Sequence, residues 1–182
     1  FNIFLALMIN ELRNKLLKSV VQTFVYLPYF LSWVIFSGLV MIFLGTSDSG
    51  GLVNAIIAQM GFAEIDFLKR PDLFRGILVV TNIIKTAGYS TIIYLAAIAG
   101  INPSLYESAE VDGANRFHKL IHITIPRILP CIAVMFILQI SSIFSSNFDQ
   151  VYNLYSAYVY STGDVLSTYI YRNSLGGGGN FE

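Results

Sequence analysis

Charge is what this sequence has least of: Asp, Glu, Lys and Arg make up 12% of its 182 residues, against roughly 25% in ordinary soluble domains. Eleven acidic and eleven basic residues cancel, so no basic surface argues for a nucleic-acid partner. One cysteine, Cys131, excludes an intrachain disulfide and leaves a thiolate metal site without partners. Its place within an apolar run reads as a small core hydrophobe. His118 and His122 stand four residues apart, as helical metal ligands do, but no third ligand lies near and no metal is expected. A phosphate-binding loop is missing too. Gly176 to Gly179 have no Lys-Ser or Lys-Thr after them and no strand before them, and they read as a flexible turn.

Apolar residues fill the space. They make up 55% of the chain, and the mean hydropathy is +0.65. Residues 20–44 carry no charge, 76–101 carry only Lys85, and 128–148 again carry none. About 20 apolar residues suffice for a helix to cross a bilayer, so three complete spans are predicted. Residues 1–9 are apolar, begin without methionine and stop at Asn10, like the tail of another span. The expected fold is therefore an all-α, polytopic membrane helix bundle, a single transmembrane domain over 1–182 that is part of a longer protein.

Lys and Arg in short loops set orientation. Residues 10–19 and 102–127 contain six of them (Arg13, Lys15, Lys18, Arg116, Lys119, Arg127), and the segments after residue 44 and after residue 148 contain four (Lys69, Arg70, Arg75, Arg172). The first pair of loops is assigned to the cytoplasm. Pro28 predicts a break in the first complete span, because it lacks an N–H and crowds the preceding turn. On the outer side, turn residues from Thr46 to Gly51 precede Leu52, Ala55, Ile56, Gln59 and Met60, whose spacing predicts a short surface helix.

The loop between the second and third spans is the most specific feature. Asn102 or Ser104 can cap a helix, Pro103 suits its first turn, and Ser104 with Glu107 forms a capping-box pattern. Gly113 can take the positive φ that ends this helix, residues 114–121 can form a second short helix, and Pro126 marks the return to the membrane. Glu107-Ser108-Ala109, three residues, Gly113, nine residues, Ile123, one residue and Ile125-Pro126 resemble the EAA loop of binding-protein-dependent ABC import permeases, with Ser108 and Ile125 as the two departures. Residues 26–33, 93–107 and 112–116 look like the subgroup that imports oligosaccharides, including the aldouronate and polysaccharide type.

That resemblance implies a type I ABC importer permease fold, of which this chain would be a fragment of a six-span subunit. It implies a bacterial cytoplasmic (inner) membrane, a homologous second permease, two ABC ATPase subunits, an extracellular solute-binding protein and a sugar solute. No cofactor would sit on this chain, ATP and Mg belonging to the ATPase. Carried over residue by residue, the coupling loop 102–127 would work through Glu107, Ala109, Asp112, Gly113, Ala114, Ile123 and Pro126. A non-sugar solute is the alternative. An intramembrane hydrolase is the rival from another class, but the three complete spans contain no Asp, Glu or His to perform its chemistry.

Polar residues inside the spans fall on helical faces. Asn82, Lys85 and Tyr89 share one, and Gln139, Ser142 and Ser146 repeat the spacing. They are candidates for the translocation path, with interhelical packing as the other reading. Lys85 is expected to face a wet cavity or a carboxylate, since a charge at mid-membrane costs about 2.5–3.5 kcal/mol. Six of eleven tyrosines lie beyond residue 150, either to stack on sugar or to form an interfacial belt.

Overall fold

The computed structural model describes residues 1–46, 51–143 and 147–174. The expected turns at 47–50 and at Gly176 to Gly179, Ser146, and the side chain of Ser142 fall outside the described residues. Regular structure among the described residues is helical. The order is α1 (Asn2–Glu11), α2 (Lys15–Phe30), α3 (Trp33–Leu44), α4 (Leu52–Gln59), α5 (Pro71–Ala99), α6 (Pro103–Val111), α7 (Arg116–Lys119), α8 (Ile125–Ile143), α9 (Phe148–Leu154), α10 (Tyr160–Gly163) and α11 (Leu166–Ser174). Helix α5 and the stretch Arg116–Ser141 are each long and apolar enough to cross a membrane, and α2 with α3 make a third such span if taken together.

Two expectations are corrected. The break expected near Pro28 is present but falls further on, at Leu31 and Ser32, while Pro28 itself sits inside the last turn of α2. A proline there removes one helical bond without stopping the chain. Ser32 imposes the break: its backbone is extended and its Oγ accepts from the Ile35 N–H at 3.2 Å, capping α3. The second correction concerns residues 114–121, which do not form a separate short helix. Helix α7 runs through a π-helical stretch, Leu120–Thr124, directly into α8, with helical backbone at both joints. Pro126 therefore lies in the first turn of α8 instead of marking a new entry. The wider turn stands where the proline ring would press on the His122 carbonyl, four residues back.

The chain divides into two compact units. The first comprises residues 1–29 and 86–145. Its core is Ile98, Ile101 and Ile128, with Ile3, Leu7, Leu105, Tyr106 and Ile123 packed around them. Gly88 allows α5 to touch α2 closely, because a Cβ there would stand 2.8 Å from the Tyr26 Cα and from the Val25 carbonyl. Much of α8 turns apolar side chains outward, among them Leu129, Val134, Phe136 and Ile137. That is the surface lipid or a partner helix accepts.

The second unit comprises residues 30–85 and 146–182. Phe36, Val40, Phe74, Leu154 and Val159 form its core. Gly163 lies against Phe74 so tightly that a Cβ would fall 2.2 Å from the ring. Buried Gln150 donates to the Leu78 carbonyl at 2.6 Å and to the Thr81 hydroxyl at 2.9 Å. Helix α4 forms where its spacing predicted, with Leu52, Ile56 and Met60 exposed. Asn54 on its inner side is fully buried. Its Nδ2 donates to the carbonyls of Gly45 (2.7 Å) and Ile65 (2.8 Å), and its Oδ1 accepts from the Ile65 N–H (2.9 Å). One side chain thus ties the end of α3 to the loop after α4. At about 1 kcal/mol per net hydrogen bond, Asn54→Ala is expected to destabilise the unit by about 3 kcal/mol. Thermal unfolding of the full-length protein in nanodiscs measures this, and an unchanged midpoint would refute the role.

Candidate functional site

Asn102, not Ser104, caps α6: its Oδ1 accepts from the Ser104 N–H at 3.0 Å, and Pro103 occupies the first turn. Ser104 then lies inside the helix and the capping box is not formed. At the other end Gly113 has φ +76°. Its N–H donates to the Glu110 carbonyl (3.0 Å), and the Ala114 N–H reaches the Ala109 carbonyl (2.8 Å). This pair of bonds is a Schellman motif, which requires the left-handed residue that glycine supplies. Asn115 follows as the cap of α7, accepting from the His118 N–H at 2.8 Å. A helix end, a reversal and a new helix start therefore occupy four residues.

Three contacts brace this turn within the first unit. Tyr106 Oη and Thr124 Oγ1 are hydrogen-bonded at 2.9 Å. Leu105, Tyr106 and Ile123 pack on the Ile98–Ile101–Ile128 core. Lys119 Nζ meets Glu110 Oε1 at 2.6 Å. That hydrogen bond and its charge hold the Glu110 carboxyl below its usual range. The pair is formed at neutral pH and is lost as pH falls through the lowered value.

The structure brings Ala109, Ala114 and Ile123 together around a small pocket beneath the turn, which His118 and His122 also line. The two histidine rings stack at 5.4 Å. Glu107, Asp112, Gly113 and Pro126 stay exposed. Sequence reasoning passed over Val111, which is 88% exposed just before the turn, as Phe117 is at 66% just after it. Its signal, an apolar residue just before the glycine, was there to be read. Glu11 at the end of α1 and Arg13 in the loop after it line one basin with Glu110, Arg116 and Lys119. The two loops assigned to the same side by their charges thus meet.

The candidate path residues are placed differently. Asn82 is half-buried, and Tyr89 stacks on Tyr29 with ring centroids 5.2 Å apart. Gln139 is exposed on α8. Lys85 is buried, and its ammonium meets a main-chain carbonyl: Nζ donates to Leu31 O at 2.5 Å, with the rings of Trp33 and Phe36 at 5.2 and 5.8 Å.

Comparison with known proteins agrees with the loop. The family described as the binding-protein-dependent transport system inner membrane component matches residues 1–155. The chain belongs to that family. As a member it is a multi-pass membrane protein of a transport system. It is 43% identical over 173 residues to the polygalacturonan/rhamnogalacturonan transport system permease protein YteP of Bacillus subtilis, covering 95% of this chain and 53% of that protein. It is 39% identical over 171 residues to protein LplB of the same organism, covering 94% of this chain and 53% of that protein. A crystal structure of a bacterial alginate ABC transporter, in complex with a periplasmic protein carrying an alginate pentasaccharide, contains a chain 48% identical to this one. The TM-score is 0.88, and the match covers 97% of this chain and 60% of that one. The chain thus spans about half the length of the curated relatives it matches.

A Cβ at position 113 would meet nothing within 4 Å, so substitution there acts through backbone conformation alone. Gly113→Val forces a β-branched residue into the left-handed region, at about 1–2 kcal/mol or more, and is expected to redirect α7 without harming membrane insertion. Gly113→Asn, which tolerates that region, is expected to be milder. Amide exchange at Ala114 and His118 in the full-length protein distinguishes them, and unchanged exchange with Gly113→Val would show that the turn does not depend on glycine.

Proposed function

We propose that this chain is part of a permease subunit of an ATP-driven importer in the bacterial cytoplasmic membrane. Its solute is an oligosaccharide handed over by an extracellular binding protein. The subunit works beside a homologous permease and two ATPase subunits, which hydrolyse the ATP. The observation that carries this reading is the turn at Gly113 within the EAA pattern. It is a rigid reversal with an exposed apolar residue on either side, joined without interruption to a helix long enough to cross the membrane.

In this mechanism α6, Val111 and Phe117 seat on the ATPase, with Glu107 and Asp112 at the rim of the contact. Closure of the ATPases pushes the turn. The Tyr106–Thr124 bond and the Ile123 contact pass the push into the first unit, and the stretch from Arg116 to Ser141 carries it across the bilayer. The π-helical segment is the yielding point of that rod, since such turns are local defects often found at functional sites. Sugar is favoured as solute because a chain of an alginate ABC transporter and a permease protein of a polygalacturonan/rhamnogalacturonan transport system are 48% and 43% identical to this chain.

The full-length protein, its partner permease, the ATPases and the binding protein, reconstituted in proteoliposomes, test the reading. ATP-dependent accumulation of a labelled galacturonic acid trisaccharide or of galactotriose is expected. Accumulation of neither, together with ATP hydrolysis stimulated by a non-sugar solute, would overturn the sugar assignment.

A further inference from the structure

The second unit holds an aromatic basin that the coupling loop does not use. Tyr152, Tyr155, Tyr160 and Tyr171 line an open cavity of about 440 Å³ together with Asn153 and Arg172. Ligand clefts commonly enclose about 300–1,000 Å³. The rings support one another: Tyr152 and Tyr171 meet edge to face at 5.0 Å, and Tyr155 and Tyr160 are tilted at 5.0 Å. The Arg172 guanidinium lies 4.1 Å above the centre of the Tyr160 ring. Its Nη2 is held by Asp164 at 2.6 Å, and Asp164 also accepts from Thr168 Oγ1 at 2.6 Å. Burial works to raise the Asp164 carboxyl, but the hydrogen bonds from Thr168 and Arg172 outweigh it and hold the carboxyl below its usual range. The arginine is therefore anchored by an ionised partner. Arg172 lines the cavity and Asp164 does not. Arg172 Nη1 is buried and has no hydrogen-bond partner among the described residues, so what the side chain offers the cavity is its charge.

An interfacial belt would turn its tyrosines outward one by one. Tyr158 and Tyr169, 67% and 54% exposed, fit that description. The other four converge around a cation and an amide. A sugar ring offers what such a wall recognises: polarised C–H bonds for the electron-rich ring faces, and hydroxyls for the phenols and the Asn153 amide. A carboxylate on the sugar suits the positive charge that Arg172 brings to this wall. We propose that this basin is a contact site for an acidic saccharide, with the tyrosine rings bearing the sugar face and Arg172 its carboxylate. The proposal rests on the reading of the chain as part of an oligosaccharide permease.

The test uses the full-length transporter in nanodiscs without the binding protein, titrated with a galacturonic acid trisaccharide and with neutral galactotriose. The acidic probe is expected to bind more tightly. Arg172→Gln is expected to weaken it about tenfold with little effect on galactotriose, and Tyr152→Leu or Tyr171→Leu to weaken both about fivefold. Tyr171→Phe, Arg172→Lys and the outward variant Tyr158→Leu are expected to retain most of the affinity. Equal affinities for the two probes, or equal losses from Tyr158→Leu and Tyr171→Leu, would overturn the site. So would variants that lose only docking of the binding protein, which would make the basin a protein contact. Binding and transport fail separately: intact probe binding without ATP-driven uptake counts against the transport reading and leaves the basin standing.

Discussion

Lipid offers no hydrogen bond to a stray main-chain carbonyl, and a helix broken inside a membrane must find a donor within the protein. The break at Leu31 and Ser32 meets that demand on both sides. The Ser32 hydroxyl takes up an N–H at the start of α3, and the Lys85 ammonium takes up the Leu31 carbonyl just beyond the end of α2. Cations are favoured at that end of a helix by its dipole. Burial of the charge at about 2.5–3.5 kcal/mol is offset by a charged hydrogen bond of about 1.5–3 kcal/mol and by the Trp33 and Phe36 rings, at about 0.5–2 kcal/mol. The balance is near zero. Lys85 thus has its main effect on the break: it lets the chain change direction without leaving a carbonyl bare.

The loop between α5 and α8 solves the same problem with local means. Asn102, Gly113 and Asn115 satisfy the ends of two helices within fourteen residues. The turn consequently needs little support from outside to hold its shape. Stiffness there is useful only if it reaches the membrane, and the uninterrupted passage from Arg116 into α8 provides that link.

Much of this was legible in the sequence because lipid enforces simple patterns. Long apolar runs marked α3, α5 and α8, and Gly113 and Asn102 announced their own backbone conformations. The misreadings have a common cause. Pro28 was read as marking a break and Pro126 as marking a new entry into the membrane, whereas proline deletes one donor and its neighbours decide the rest. Ser32 supplies a competing cap after Pro28, and a widened turn accommodates Pro126. Neither response is visible in periodicity. Tertiary partners were also hidden: the three bonds of Asn54, the carbonyl facing Lys85 and the gathering of four tyrosines around Arg172 depend on which segments meet.

The role of Lys85 can be measured directly in the full-length transporter by combining thermal unfolding, amide exchange at Ile35 and Phe36, and uptake kinetics for Lys85→Leu. If the ammonium fastens the break, the variant inserts normally, loses about 1–3 kcal/mol of stability for the bared carbonyl and exchanges faster at those amides. Unchanged stability and exchange, with a raised KM for the solute alone, would contradict this and put Lys85 in the translocation path.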